Sequence, residues 1–235
     1  MKLRFSTIAL ALLAQTALLS APPALAQNAE AQADSAAPQK EPSRVHQALA
    51  WSQDRLAQLD ANIAALEKDA SRLQGEARTK ADAALADLRK QRDAYRRRAQ
   101  DAAANAKNWS DAQVAEARQA LDNDWAAFQA ARDKYLEESK ASIATRRAVL
   151  EAELEAQQKA LAGLRADTAK LAADQRAAIE GRIAALNADV EETKARVSKA
   201  SAEVWETTKK SYGEAQRLFS ETYASIRQSI DEAKK

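Results

Sequence analysis

Residues 49–73 read LAWSQDRLAQLDANIAALEKDASRL, and this stretch decides the fold class. Leu56 and Ile63 lie seven residues apart, and Leu59 and Leu66 repeat that step with an offset of three residues. Apolar residues spaced alternately three and four positions apart form one narrow edge, here called a seam, that another helix must cover. The stretch therefore predicts a long amphipathic helix within a coiled coil or an elongated helical bundle.

The second half of the chain repeats this seam after 98 residues. The shift superposes Leu56 and Leu154, Ile63 and Leu161, Leu66 and Leu164, and Leu88 and Leu186. Both halves have a four-residue step in the seam, near residues 73–85 and 175–183, which in a coiled coil locally unwinds the supercoil. Two unrelated coiled coils in phase would also match, because 98 is a multiple of seven. The shared step favours an internal duplication, with one repeat at 44–138 and another at 139–235.

The rest of the composition agrees with an all-α chain. Residues 44–235 contain no proline and four glycines, and strong helix formers dominate them. The glycines at positions 75, 163, 181 and 213 mark turns or are tolerated inside helices. Ser110 and Gln113 have the spacing of a capping box, which predicts a helix break near residues 108–110. We expect two to four long helices folded as hairpins.

The first 43 residues predict export. Lys2 and Arg4 precede an apolar run to Leu19, and residues 24–26 (Ala-Leu-Ala) have the pattern that signal peptidase cleaves. We expect residues 1–26 to be a signal peptide cleaved after Ala26, residues 27–43 to be a flexible leader, and the mature protein to be periplasmic.

Charge and cysteine content exclude several classes of function. The chain has 36 basic and 34 acidic residues, and removal of Lys2 and Arg4 leaves 34 of each. A neutral mature chain has no long-range attraction for nucleic acid, so we expect no nucleic-acid partner. With no cysteine there is neither a disulfide nor a lipoprotein anchor.

No pattern of catalytic or metal-binding residues is present in the sequence. His46 is the only histidine, and no glycine-rich phosphate loop or serine nucleophile motif occurs. Glu151, Glu153 and Glu155 have the pattern of a solvated helix face. We therefore expect no enzymatic activity, no cofactor, no metal and no small-molecule substrate.

A basic run offers a candidate contact for anions. Its residues are Arg89, Lys90, Arg92, Arg96, Arg97 and Arg98. Export leaves anionic lipid, lipopolysaccharide phosphates or an acidic protein as partners. The alternative is a solvated helix face that pairs with acidic residues of residues 111–138.

Two aromatic stripes offer a candidate contact for a partner or a lipid. With the two flanking tryptophans, their residues are Trp109, Leu121, Trp125, Phe128, Tyr135, Trp205, Tyr212, Phe219 and Tyr223. Their helical spacing fits an amphipathic helix at a membrane surface, a groove for apolar segments of client proteins, or packing of the stripes on each other inside a bundle.

The chain also resembles a set of bacterial coiled-coil proteins known as stress-response proteins. The resemblance rests on Leu66-Glu-Lys-Asp-Ala, Gly75-Glu-Ala-Arg and Leu88-Arg-Lys-Gln-Arg, followed by an alanine-rich stretch and the pair Trp109 and Trp125. It covers residues 50–136 and, more weakly, 147–230, and it implies an envelope or stress-related helical protein. A second likeness, to apolipoprotein-type helices, lacks their regular prolines, and this absence favours a folded bundle.

Together these observations predict a non-enzymatic periplasmic protein that acts as a scaffold or as a stress-protective, holdase-like interaction protein. Its partner would be another protein or a second copy of the chain. The alternative is reversible binding of lipid by amphipathic helices at the cell-envelope surface.

Overall fold

The computed structural model of the protein describes residues 44–234. The signal peptide and leader predicted at residues 1–43 lie outside the described residues. Six α-helices follow one another in the chain, with no β-strand among the described residues, so the predicted all-α fold is confirmed. They are α1 (Arg44–Ala70), α2 (Gly75–Asn105), α3 (Asp111–Glu138), α4 (Ile143–Thr168), α5 (Ala173–Lys199) and α6 (Trp205–Ala233).

The expectation of two to four helices was wrong, because a turn between two helices lies at or just before each step in the seam. α1 ends at Ala70 and α2 begins at Gly75, while α4 ends at Thr168 and α5 begins at Ala173. A four-residue step within one continuous coiled-coil helix and a tight turn between two helices leave the same spacing of apolar residues in the sequence. Gly75 has a φ of +58°, a left-handed conformation that glycine adopts without strain. The glycines at 163, 181 and 213 lie inside helices instead.

The break predicted near residues 108–110 is confirmed. A short 3₁₀ turn, Ala106–Asn108, follows α2, and Ser110 is the N-cap of α3. The backbone N–H of Gln113 donates to the Ser110 hydroxyl, and the Gln113 side chain accepts from the backbone N–H of Ser110 at 2.9 Å. This reciprocal pair satisfies two amide groups that a helix terminus otherwise leaves without partners.

The helices form two consecutive groups of three, called here the N-terminal triplet (α1–α3) and the C-terminal triplet (α4–α6). Each triplet has its own hydrophobic cluster, except that Val149 of α4 belongs to the N-terminal cluster while the C-terminal cluster begins at Leu150. The shift of 98 residues carries Gly75, the first residue of α2, onto Ala173, the first residue of α5. The origin of the triplets by duplication stays a prediction.

α1 joins the two triplets, because it packs against α2 and α3 on one side and against α4 and α6 on the other. Its apolar seam, represented by Leu59 and Leu66, belongs to the core of the N-terminal triplet. The face of α1 that meets the C-terminal triplet carries the polar residues described below.

Candidate functional site

The residues of the aromatic stripes lie in the hydrophobic cores. All nine except Trp109 are buried, and Trp109 is partly buried against the N-terminal core. In this conformation each stripe packs inside the core of its own triplet, so the two stripes lie in separate hydrophobic clusters and do not form the shared core that one of the three alternatives described. Contact with a lipid or a partner through the buried members requires the helices to separate, and it stays a prediction.

The basic run lies along α2, and most of it forms ion pairs. Arg89 pairs with Glu67 of α1 at 2.6 Å, and Arg98 pairs with Asp124 of α3 at 2.8 Å. The remaining pairs join Arg92 to Asp60 and Asp93, Arg96 more distantly to the same two residues, and Lys90 to Asp87.

Most of the acidic partners therefore lie on α1 or α2. The alternative given by the sequence placed these partners among residues 111–138, which form α3. Arg97 is exposed and has no ion-pair partner among residues 44–234. Surface pairs of this kind contribute little stability, so they leave the run free to bind an anion, which stays a prediction.

The prediction of a solvated face at Glu151, Glu153 and Glu155 was wrong for Glu153. Its side chain is fully buried between the two triplets, whereas Glu155 is exposed and Glu151 is partly buried. Glu153 lies one helical turn before Gln157, a polar residue in an otherwise apolar row of α4. Gln157 is buried as well, so a polar position inside the seam was the signal for a buried polar contact.

The Glu153 carboxylate is the centre of a hydrogen-bonded group that we call the polar layer. One oxygen accepts hydrogen bonds of 2.5 Å from Asn62 of α1 and from Arg132 of α3. The other accepts from the Tyr212 hydroxyl and, at 3.4 Å, from Gln216, both on α6. Four helices thus meet on one carboxylate, which fixes their register.

Burial and electrostatics shift two groups in the polar layer. Burial disfavours the charged form of Arg132, but the carboxylates of Glu153 and Asp133 outweigh it and raise the pKa of the guanidinium. Burial and the nearby Glu153 carboxylate raise the pKa of the Tyr212 phenol well above its usual value. Arg132 is therefore a permanent cation and Tyr212 a permanent hydrogen-bond donor at physiological pH.

Polar contacts also flank the layer on both sides along α1. At one end the Thr145 hydroxyl donates to Asp69 at 2.6 Å. At the other end Asp54 accepts from Tyr223 and lies 3.8 Å from Arg227. Polar side-chain contacts thus join the triplets at three levels along α1, although Val149 of α4 also packs into the N-terminal core. Sequence analysis named Tyr223 but none of the other residues in these flanking contacts.

A groove between α5 and α6 carries the apolar surface that the bundle leaves uncovered. Val204 and Leu218 are the large hydrophobic residues that remain exposed among the described residues, at 48% and 53%. They line two adjoining depressions of about 290 and 210 Å³ that share Thr193, Arg196 and Tyr212 as walls. Sequence analysis named neither Val204 nor Leu218, because each is a single apolar residue among polar neighbours.

The described residues show no cluster of three or more side chains suited to hold a metal ion. None of the six helices combines the length and the apolar character needed to cross a membrane. Comparison with protein-family models, with curated proteins and with solved structures found no match for this sequence. The resemblance to stress-response proteins therefore stays a prediction.

Proposed function

We propose that this chain is a non-enzymatic, periplasmic interaction protein, a scaffold or stress-protective holdase, and that its partner surface is the α5–α6 groove. The supporting observation is that Val204 and Leu218 are exposed on this one groove, whereas the other large apolar side chains of residues 54–234 are at least partly covered. Apolar side chains that are exposed along one groove, rather than scattered over the surface, are typical of a surface that contacts another protein.

The spacing along α6 suits a helical partner. The groove edge is formed by residues that alternate three and four positions apart: Val204, Thr208, Ser211, Ala215, Leu218 and Thr222. This edge spans 19 residues from the N-cap Val204, and the 18 steps between its ends correspond to about 27 Å of helix. Small residues between the two apolar ones allow a partner helix to approach closely, so we assign the groove to an apolar helical or unfolded segment of a client protein.

The opposite wall of the groove supplies a polar rim. Glu192 and Arg196 of α5 form a surface ion pair at 3.0 Å beside the apolar floor. A rim of this type surrounds the apolar centre of many protein interfaces and contributes more to selectivity than to affinity.

The test is suppression of aggregation of a heat-denatured client at a near-equimolar ratio. We expect the wild type to suppress light scattering and the double variant Val204→Ser/Leu218→Ser to lose most of this activity. The control is Ala104→Ser/Ala162→Ser, two exposed positions on α2 and α4 outside the groove. Equal activity of both double variants, or no activity of the wild type, would contradict the proposal.

Reversible lipid binding is the second candidate function. It is supported by the one-sided apolar face of α6, where Tyr212, Phe219 and Tyr223 lie inward together. Such a face binds a membrane surface if the bundle opens. Flotation with anionic vesicles tests this candidate. Protein that stays at the bottom of the gradient would exclude lipid binding. Protein that floats with the vesicles, and whose tryptophan fluorescence is quenched by brominated lipid, would support lipid binding.

A further inference from the structure

A second cleft lies where α3, α4 and α6 meet, next to the polar layer. Its volume is about 260 Å³. The apolar part of its wall is formed by Leu136, Leu150 and the indole of Trp205, and Gly213 leaves one side open because it has no side chain. No motif of the sequence predicts a small-molecule site here.

The cleft is positively charged. Arg132, Arg146 and Lys209 line it, together with one carboxylate, Asp133. Arg132 and Lys209 both pair with that carboxylate, at 2.9 and 2.8 Å. Burial opposes ionisation of Asp133, but these two cations prevail and lower its pKa, so it is ionised and already neutralised within the cleft.

Arg146 is the cation that remains without a counter-charge. Its Nε donates to the carbonyl of Ala141 at 3.1 Å and its Nη2 to the carbonyl of Leu136 at 2.9 Å, so the side chain caps the end of α3. Nη1 has no hydrogen-bond acceptor, and no carboxylate lies within ion-pair distance, among residues 44–234. A half-buried guanidinium held in this way is preorganised for an anion.

Trp205 supplies a second, independent observation. The residue is 6% exposed, and its indole N–H has no hydrogen-bond acceptor among the described residues. A buried donor without an acceptor is unfavourable, and most such donors in native proteins are satisfied by a water or a ligand. Trp205 therefore brings an unsatisfied donor to the wall of the cleft that Arg146 also lines.

We propose that this cleft binds a small organic carboxylate with a compact apolar body. The carboxylate accepts from Trp205 Nε1 and Arg146 Nη1, with Arg146 as its counter-charge, and the apolar body lies against Leu136 and Leu150. Charged donors beside an apolar wall are the usual composition of a small-ligand pocket.

The proposal is tested by NMR titration of the ¹⁵N-labelled protein with benzoate. The chain has four tryptophans, and the indole signal that disappears in Trp205→Phe is the one that belongs to Trp205. We expect that signal to shift and saturate at millimolar benzoate, while the other indole signals stay in place. Benzamide, which has the same shape without the charge, and inorganic phosphate, which has the charge without the apolar body, should each bind about tenfold more weakly.

Variants distinguish a built site from a nonspecific effect. Arg146→Gln should weaken benzoate about tenfold, and Gly213→Leu should fill the cleft and abolish the shift. Gly181→Leu is the matched control, because Gly181 is an exposed helical glycine of α5 that does not line the cleft, and it should bind like the wild type. An absent benzoate shift, an equal response to benzamide, or unchanged binding by a folded Gly213→Leu protein would overturn the proposal.

Discussion

Glu153 of α4 and Arg132 of α3 form an ion pair at 2.5 Å in which both side chains are buried. The pair joins the C-terminal triplet to the N-terminal triplet at the centre of the polar layer. A buried ion pair is costly to desolvate, and it is tolerated here because Asn62, Tyr212 and Gln216 donate to the same carboxylate. The arrangement contributes to the uniqueness of helix register, since any slip would leave charges unpaired.

Removal of one charge from this pair should be strongly destabilising. Glu153→Gln leaves the Arg132 guanidinium in the interior with only Asp133 as a counter-charge, and we expect a loss of about 3 kcal/mol in the free energy of unfolding. Urea unfolding followed by circular dichroism measures it. The control Glu155→Gln, at an exposed position two residues away, should change stability by less than about 0.5 kcal/mol. Similar losses of unfolding free energy in both variants would contradict the stabilising role of the polar layer.

The tyrosines should make the protein sensitive to alkaline pH. The chain has four, and burial is the largest cause of a raised pKa at each of them, Tyr95, Tyr135, Tyr212 and Tyr223. The pKa of Tyr135 is raised to about 12. Above pH ~10 the unfolded chain releases these protons while the folded chain retains them, so stability falls as pH rises.

Each tyrosine that stays protonated should lower stability by about 1.4 kcal/mol per pH unit above pH ~10. Absorbance at the phenolate wavelength should therefore rise together with the loss of helical circular dichroism. The contrary result is phenolate absorbance that rises at the ordinary tyrosine pKa while the protein stays helical. It would show that solvent reaches the tyrosines in the folded protein, and it would contradict the prediction.

Helix capping gives a test at the starts of α3 and α5. Ser110 caps α3, whereas Ala172, the N-cap of α5, makes no side-chain hydrogen bond. Ala172→Ser would create the same Ser-x-x-Gln pattern with Gln175, and its backbone is already extended as an N-cap requires. We expect a gain of about 1 kcal/mol from Ala172→Ser and a comparable loss from Ser110→Ala in urea unfolding. A loss of stability in Ala172→Ser would contradict this assignment of the cap.

The class of fold was predictable because it depends on local periodicity. Leu56, Leu59, Ile63 and Leu66 repeat within one helix, and the Ser110 capping box lies within four residues, so no distant part of the chain is needed to interpret them. The turns at 71–74 and 169–172 were misread because a change of phase does not reveal whether the chain continues straight or reverses.

The candidate sites were less accessible to sequence analysis, because burial depends on helices that are distant in sequence. Glu153 is buried by Asn62, 91 residues earlier, and by Tyr212, 59 residues later. Arg132 lies in a stretch that is acidic overall, which concealed its role as the counter-charge of Glu153. Val204 and Leu218 line a groove only once α5 supplies its other wall.

The central claim is that the α5–α6 groove is the surface that contacts another protein, and site-specific photo-crosslinking in the intact cell envelope tests it most directly. A photoreactive residue at position 218 should give discrete adducts with client proteins after heat stress, and competition by a Val204→Ser/Leu218→Ser protein should not reduce them. The same residue at the exposed position 162 on α4, outside the groove, should give none of these adducts. Identical adducts from both positions, or none from position 218, would contradict the account.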